Sequence, residues 1–241
     1  MNQMNTIDQL LESYQISPQA ADVVRSTPIV LLVGITAAGK DTIQNQLLGN
    51  SDYHKIVTHT TRSPRVNNGI LEQDGDNYHF ISQADMYELL SNEQMIEANR
   101  FGDNYYGTSV GEFKTAQENA RIALGDIDVN GIASFRAIAT QNIIPIFIVP
   151  PDYATWRMRL DGRYGSQEEL DRELPKRLQA AERELEHALS VPYYHFVIND
   201  DLVRAVRVTD EIAHGRNEFN QHDEAARQRA VELLQAIKQH R

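Results

Sequence analysis

The densest chemistry in this chain lies in Gly34-Ile35-Thr36-Ala37-Ala38-Gly39-Lys40-Asp41-Thr42. It follows the apolar run Ile29-Val30-Leu31-Leu32-Val33 and leads into Ile43-Gln44-Asn45-Gln46-Leu47-Leu48. Strand, glycine loop and helix in that order are the context in which GxxxxGK[ST] marks a phosphate-binding loop. Successive backbone N–H groups wrap an anionic oxygen, and the helix N-terminus adds partial positive charge. Lys40 supplies a mobile point charge for the β- and γ-phosphates of a nucleotide. Asp41 stands where Ser or Thr offers a hydroxyl to Mg²⁺, with Thr42 one place late. Ala37, a non-glycine residue in the loop, is expected to keep to ordinary backbone conformations. The bland alternative is a strand-turn-helix that binds nothing.

Other segments match this chemistry. Arg62 and Arg65, three apart around Ser63-Pro64, suit a planar, bidentate phosphate clamp; standing alone, they would read as solvated surface arginines. Asp126 and Asp128 close the run Ile122-Ala123-Leu124-Gly125, and acids at the carboxyl end of a parallel strand sit where such sheets bind ligands. Glu97 is a carboxylate inside the apolar stretch Met95-Ile96-Glu97-Ala98, against the alternative of a surface glutamate ending a short helix. Asn104-Tyr105-Tyr106-Gly107-Thr108 reads as an aromatic turn. Arg157, Arg159, Arg163, Lys176 and Arg177 form a basic region interleaved with acids. For Arg157 and Arg172 an exposed salt-bridged helix surface is the favoured reading. The eight histidines show no metal-ligand spacing.

The elements that must position these groups alternate. Strands are predicted at 29–33, 55–58, 78–82, 122–128, 143–149 and 194–199. Helical patterns fall at 6–15, 83–91, 109–119, 130–140, 152–160 and 167–189, with one more near the C-terminus. Pro145 suggests an irregular or exposed-edge position in its strand. Alternating β and α elements imply an α/β fold: a parallel sheet with helices on both faces. The two terminal helices are expected to pack on each other.

Composition sets outer limits. The chain has 241 residues, 41% of them hydrophobic, a net charge of −11 and no cysteine. The acidic balance argues against non-specific nucleic-acid binding. Thiolate metal sites, disulfides and a Cys nucleophile are excluded. No apolar run approaches the ~20 residues of a membrane span, and the N-terminus lacks a signal-peptide pattern. The expectation is a cytoplasmic protein.

Together these segments resemble the guanylate kinase (GMP kinase) family over about residues 28–213. The resemblance rests on the phosphate loop, Thr58-His59-Thr60-Thr61-Arg62-Ser63-Pro64-Arg65, Tyr78-His79-Phe80, Asn104-Tyr105-Tyr106-Gly107-Thr108, Asp126-Ile127-Asp128 and Val197-Ile198-Asn199-Asp200-Asp201. It implies a P-loop parallel sheet with a small NMP-binding subdomain (about 58–108) and a lid (about 157–177), inside a kinase-like domain at 28–214. Residues 1–27 would be a helical extension and 215–241 a C-terminal helix. It also implies ATP-dependent phosphoryl transfer to GMP with Mg²⁺, so ATP and GMP are the expected partners. In that reading Gly34, Ala37, Ala38, Gly39, Lys40, Asp41, Thr42 and Asn199 hold ATP. Arg62, Arg65, Tyr78 and Tyr106 clamp the GMP phosphate. Thr58, Glu97, Thr108 and Asp128 face the rest of GMP, with Thr58, Glu97 and Asp128 reading guanine. Asp41 and Asp126 would meet the metal, directly or through water. Lys40, Arg62, Arg159, Arg163 and Arg177 are the catalytic set, the last three as lid arginines. The loops 65–78 and 163–177 are longer than is usual for the family. Two alternatives are a kinase for another small phosphate ester such as a ribose bisphosphate, and a non-catalytic protein-binding module. A homodimer through the terminal helices is a further expectation.

Overall fold

The computed structural model describes residues 3–67, 69–216 and 220–241. Residues 1–2 and 217–219 of the expected terminal segments, and Asn68 in the loop after Arg65, lie outside the described residues. In chain order the elements are α1 (Gln3–Ser13), α2 (Pro18–Ser26), β1 (Ile29–Val33), α3 (Lys40–Leu47), β2 (Tyr53–Lys55), β3 (His59–Thr60), β4 (Val66–Asn67), β5 (Ile70–Leu71), β6 (His79–Phe80), α4 (Gln83–Ser91), β7 (Met95–Phe101), β8 (Asn104–Ser109), α5 (Val110–Glu118), β9 (Ile122–Asp126), α6 (Val129–Ile138), β10 (Ile143–Val149), α7 (Tyr153–Asp161), α8 (Gln167–Ser190), β11 (His195–Ile198), α9 (Leu202–Ala213) and α10 (Asn220–Gln239). They fall into two compact units.

One unit comprises Ile29–Ser51, Leu124–Phe135 and Ile143–Arg241. Its strands run in the order β11-β10-β1-β9. β10 is parallel to both β1 and β11. β1 is buried at all five positions, as befits a strand covered on both faces. α3 and α9 pack together, and α9 and α10 lie against β11. Pro145 is not on an edge strand, since β10 runs between β1 and β11. Pairing with β11 starts one residue later, at Ile146 opposite His195, so Pro145 has only Leu31 as a paired partner and its missing N–H is tolerated there. α7, α8 and α9 start with side-chain caps from Asp152, Ser166 and Asp201, which satisfy N–H groups the helix leaves free. As expected, Arg157 pairs with Asp161 and Arg172 with Glu173.

The other unit comprises Met1–Pro28, Asp52–Ala123 and Arg136–Asn142. Its four-stranded sheet has the order β6-β3-β8-β7. β3 is parallel to β6 and antiparallel to β8. The expected aromatic turn at 104–108 is instead strand β8, hairpinned onto β7 through Gly102, whose φ is 61°. Only glycine holds such a value without strain. The hairpin also makes Glu97 a strand residue opposite Thr108, not the end of a helix. The strand expected at 55–58 breaks at Ile56-Val57-Thr58, because the Val57 N–H goes to the Glu112 side chain. The long loop after Arg65 forms the β4–β5 hairpin. Ile7, Met86, Leu90, Met95 and Tyr105 form one buried apolar cluster, and Leu10, Leu11 and Tyr14 pack onto it. Of the terminal helices, α1 packs on α4, and α10 on α8 and β11.

Candidate functional site

The phosphate loop is held by its neighbours. Trp156 donates Nε1–H to the Thr36 carbonyl at 2.8 Å. Asn199 donates to the Ala38 carbonyl at 2.8 Å, and a Cβ at Gly39 would collide with that amide. At Gly34 a Cβ would come within 2.6 Å of the Ile148 carbonyl oxygen, so both loop glycines are required by close approach. Contrary to expectation, Ala37 is not in an ordinary conformation. Its φ is 66°, a left-handed value that costs an alanine roughly 1–2 kcal/mol. The anchored loop imposes it, and strain of this kind concentrates at functional sites.

Lys40 Nζ donates to the Gly34 carbonyl at 2.8 Å and lies 3.8 Å from Asp126 Oδ1. Asp126 is the most perturbed acid here: desolvation in the cleft, opposed by Lys40 and reinforced by the charge and hydrogen bond of Asp41, pushes it up to about 7. Its side chain keeps 29% exposure, so the desolvation comes from surrounding groups without full enclosure. Arg163 lies 3.5 Å from Asp41. Arg159 donates to the Asn199 carbonyl at 3.0 Å. A cleft of about 690 Å³ is lined by residues 36–42, Asp126, Arg159, Arg163, Asn199, Asp200 and Leu202. Arg177 is not among these residues; its Nε–H goes to the Tyr164 hydroxyl at 2.9 Å. Asp128 accepts the Gly131 N–H at 2.7 Å.

The remaining candidates belong to the other unit. Arg62 donates Nη1–H and Nη2–H to Glu72 at 2.8 and 3.1 Å, with side-chain exposures of 8% and 9%. The same Glu72 takes the Arg65 N–H at 2.8 Å. The Arg62 guanidinium lies 5.2 Å from the Tyr78 ring and 5.8 Å from that of Phe80. Hydrogen bonding to Glu72, first, and then the Glu72 charge and Tyr106 hold it protonated. Tyr78 meets Tyr106 edge-on at 6.2 Å. Arg62, Tyr78 and Tyr106 are thus brought together, with Arg65 exposed beside them. Glu97 accepts from Thr108 Oγ1 and from Asn99 Nδ2, each at 3.0 Å. Thr58 offers its carbonyl to the His79 N–H at 2.9 Å.

Sequence reading missed Glu72, Trp156 and Glu112. Glu72 lies in a polar loop with no periodicity, and Trp156 in a stretch dominated by arginines. Only a carboxylate within reach of Arg62 and Arg65 hinted at the first.

The family profile described as Guanylate kinase matches residues 25–214. The chain is 31% identical over 186 residues to the guanylate kinase of Latilactobacillus sakei, covering 76% of this chain and 87% of that protein. It is 35% identical over 183 residues to that of Neisseria meningitidis serogroup A, covering 75% and 84%. The crystal structure of guanylate kinase from Anaplasma phagocytophilum superposes with a TM-score of 0.55 at 25% identity, covering 80% of this chain and 88% of that one. With most of its length matched by the profile and by relatives above 30% identity, this chain belongs to the guanylate kinase family.

Proposed function

We propose that this protein transfers the γ-phosphoryl group of ATP to GMP, giving ADP and GDP. The observation that carries the reading is the acceptor cluster in a chain of this family. A charged guanidinium stands with two tyrosines, Tyr78 and Tyr106, and a carboxylate, Glu97, lies on the adjoining hairpin. A phosphate ester with a hydrogen-bonding base uses both. A ribose bisphosphate would leave Glu97 without a use, and a protein-binding module would not need Lys40.

Phosphoryl transfer asks for positioning and charge neutralisation more than for a covalent nucleophile. On the donor side, the loop N–H groups and Lys40 hold the β- and γ-phosphates, Lys40 exchanging the Gly34 carbonyl for phosphate oxygens. Arg159 and Arg163 add charge where the γ-phosphoryl group leaves, and Arg177 joins them from the lid segment. Asn199 supports the loop from below. On the acceptor side, Arg62, Arg65, Tyr78 and Tyr106 orient the phosphate that attacks. Glu97 accepts the guanine N1–H and N2–H₂, with Thr58 and Thr108 beside the nucleoside; for Asp128 the assignment to GMP rests on the family resemblance alone.

Asp41 and Asp126 are a chemically reasonable place for Mg²⁺. Two acids share a hydrogen bond, one of them held protonated toward neutral pH, a repulsion that a divalent cation relieves. Among the described residues no group of three or more such ligands occurs, so Asp41 and Asp126 would hold the ion together with nucleotide oxygens and water. When bound, the ion neutralises developing charge on the phosphates.

We further assign residues 28–214 as the kinase domain, with the acceptor part at about 58–108 and the lid at about 157–177. Residues 1–27 and 215–241 are assigned as supporting segments, with Ile7 of α1 and Ala226, Ala230, Leu233 and Ile237 of α10 buried. Among the described residues no helix is long and apolar enough to cross a membrane. With the acidic balance, a cytoplasmic enzyme without a nucleic-acid partner is the reading adopted. ADP release measured against GMP, AMP and a ribose bisphosphate tests the function: GMP should be preferred, and Lys40→Ala should abolish turnover while the protein stays folded. Preference for the ribose ester, or turnover surviving in Lys40→Ala, refutes it.

A further inference from the structure

Glu112 lies outside every motif that carries the family resemblance, yet its carboxylate joins three separate segments. It stands in the first turn of α5 with its side chain 14% exposed. Oε2 accepts the Val57 N–H at 3.0 Å, and Oε1 lies 2.9 Å from His79 Nε2. His54 Nε2 is 3.4 Å from Oε2. An acid in a helix's first turn ordinarily interacts with its own N-terminus or with solvent. This one is directed at β2, at the break before β3, and at β6.

The residues on either side of its partners are informative. Val57 directly precedes Thr58, and His79 directly follows Tyr78. α5 itself continues from β8, which carries Tyr106 and Thr108. The His79 N–H also donates to the Thr58 carbonyl at 2.9 Å, closing a ring of contacts. The surrounding charges favour this arrangement. The His59 ring lies against that of His79, tilted by 42° with centroids 4.6 Å apart. Burial first, and then His79, push the His59 imidazole down to about 4, against the pull of Glu112 and Asp74. His59 is therefore neutral near pH 7 and leaves the carboxylate to His79 and His54. Lys55 is occupied by Asp76 at 2.7 Å.

We propose that Glu112 is the positioning residue of the GMP site: through the Val57 N–H and His79 it sets the spacing of Thr58, Tyr78 and the Tyr106–Thr108 strand, without touching substrate. This rests on the GMP kinase reading given above. A positioning role of this kind changes acceptor affinity and leaves donor affinity alone, because every segment it ties carries acceptor residues and none carries the phosphate loop.

The test compares wild type, Glu112→Ala, Glu112→Gln, His79→Ala and Tyr14→Phe. Tyr14→Phe is the control: it loses the hydrogen bonds that the Tyr14 hydroxyl makes with the Met95 carbonyl and N–H, in the same unit and not to Glu112. KM for GMP, KM for ATP, kcat and Tm are measured, together with GMP affinity by calorimetry without ATP. Glu112→Ala should raise KM and Kd for GMP about tenfold or more, as expected when a hydrogen-bonded charged group is lost, with KM for ATP within about twofold. Glu112→Gln, which keeps one acceptor oxygen, should recover part of the loss, and His79→Ala should show the same selectivity with smaller size. If Glu112→Ala does not fold, the Gln and His79 variants carry the test. Unchanged GMP affinity in these folded variants, in a wild type that does phosphorylate GMP, overturns the inference alone. So do KM values for both substrates that rise together in proportion to lost Tm, as the Tyr14→Phe control calibrates. A wild type that does not phosphorylate GMP overturns the inference and the function together.

Discussion

Replacing Glu72 with alanine removes three hydrogen bonds at once: two from the Arg62 guanidinium and one from the Arg65 backbone. It leaves the Arg62 charge covered and without its carboxylate. Breaking one side of a buried ion pair costs ~3–5 kcal/mol. The pair is covered by the Tyr78 and Phe80 rings but stands beside the exposed Arg65, so we take the lower end, ~3 kcal/mol. For a chain of this size that corresponds to a Tm loss of ~6–12 °C. Glu72→Gln keeps the shape and one acceptor, and should lose about half as much. The assay is urea unfolding of wild type, Glu72→Ala, Arg62→Met and the double variant. The double variant removes both charges, so it should lose less than the sum of the singles, with a coupling energy of ~2 kcal/mol. GMP affinity should fall in Glu72→Ala although Glu72 is placed to touch Arg62 and not the substrate. A Glu72→Ala loss under ~0.5 kcal/mol, with additive singles, would show that the pair is solvated and that Arg62 is aimed by something else.

Glu97→Gln sets an amide donor against a guanine donor and should lower kcat/KM for GMP about tenfold to a hundredfold, with a smaller loss for AMP; equal losses would mean that Glu97 does not read the base. Asp126 holds a proton in the folded state up to about pH 7 that the unfolded chain gives up near pH 3.8. Stability therefore falls as pH rises through that window, and the full penalty is present above it. Asp126→Asn should accordingly melt higher than wild type at pH 8, by a margin that shrinks toward pH 4, while losing activity; a margin independent of pH rules this out. Gly39→Ala meets both a φ of 93° and the Asn199 amide, so it should weaken ATP binding with little change in GMP binding, and isothermal titration with each nucleotide checks this. Asp41→Ser removes an acid from beside Asp126 and the partner of Arg163. It should bind metal-free ATP more tightly than wild type, and titrations in chelator that coincide for the two proteins would remove Asp41 from the phosphate site.

Local chemistry explains what could be read without coordinates. The phosphate loop, the apolar strands at 29–33 and 143–149 and the helix at 83–91 are each dictated within a dozen residues. Side-chain alternation, glycines that close approach requires, and a capping box such as that of Ser82 and Asp85 suffice for them. The arginine spacing at 62 and 65 suggested a phosphate clamp for the same reason, whereas the tyrosines at 78 and 106 were singled out only by the family resemblance. What depended on residues distant in sequence was not. Asn104–Ser109 is a strand only because Met95–Phe101 pairs with it; the dipeptide Tyr105-Tyr106 beside a glycine is equally at home in a turn. The partners of Glu72 and Glu112 are chosen by where the chain folds back, since a carboxylate in a loop or on a helix face carries no mark of what it will meet. Helix α10 shows an amphipathic pattern in sequence, but that pattern only demands an apolar surface. The fold decided that α8 and β11 would provide it. Asp126, finally, is an ordinary acid in the sequence. Its titration is displaced because the walls of the cleft desolvate it and Asp41 stands beside it, an electrostatic property of the assembled site that no stretch of chain possesses alone.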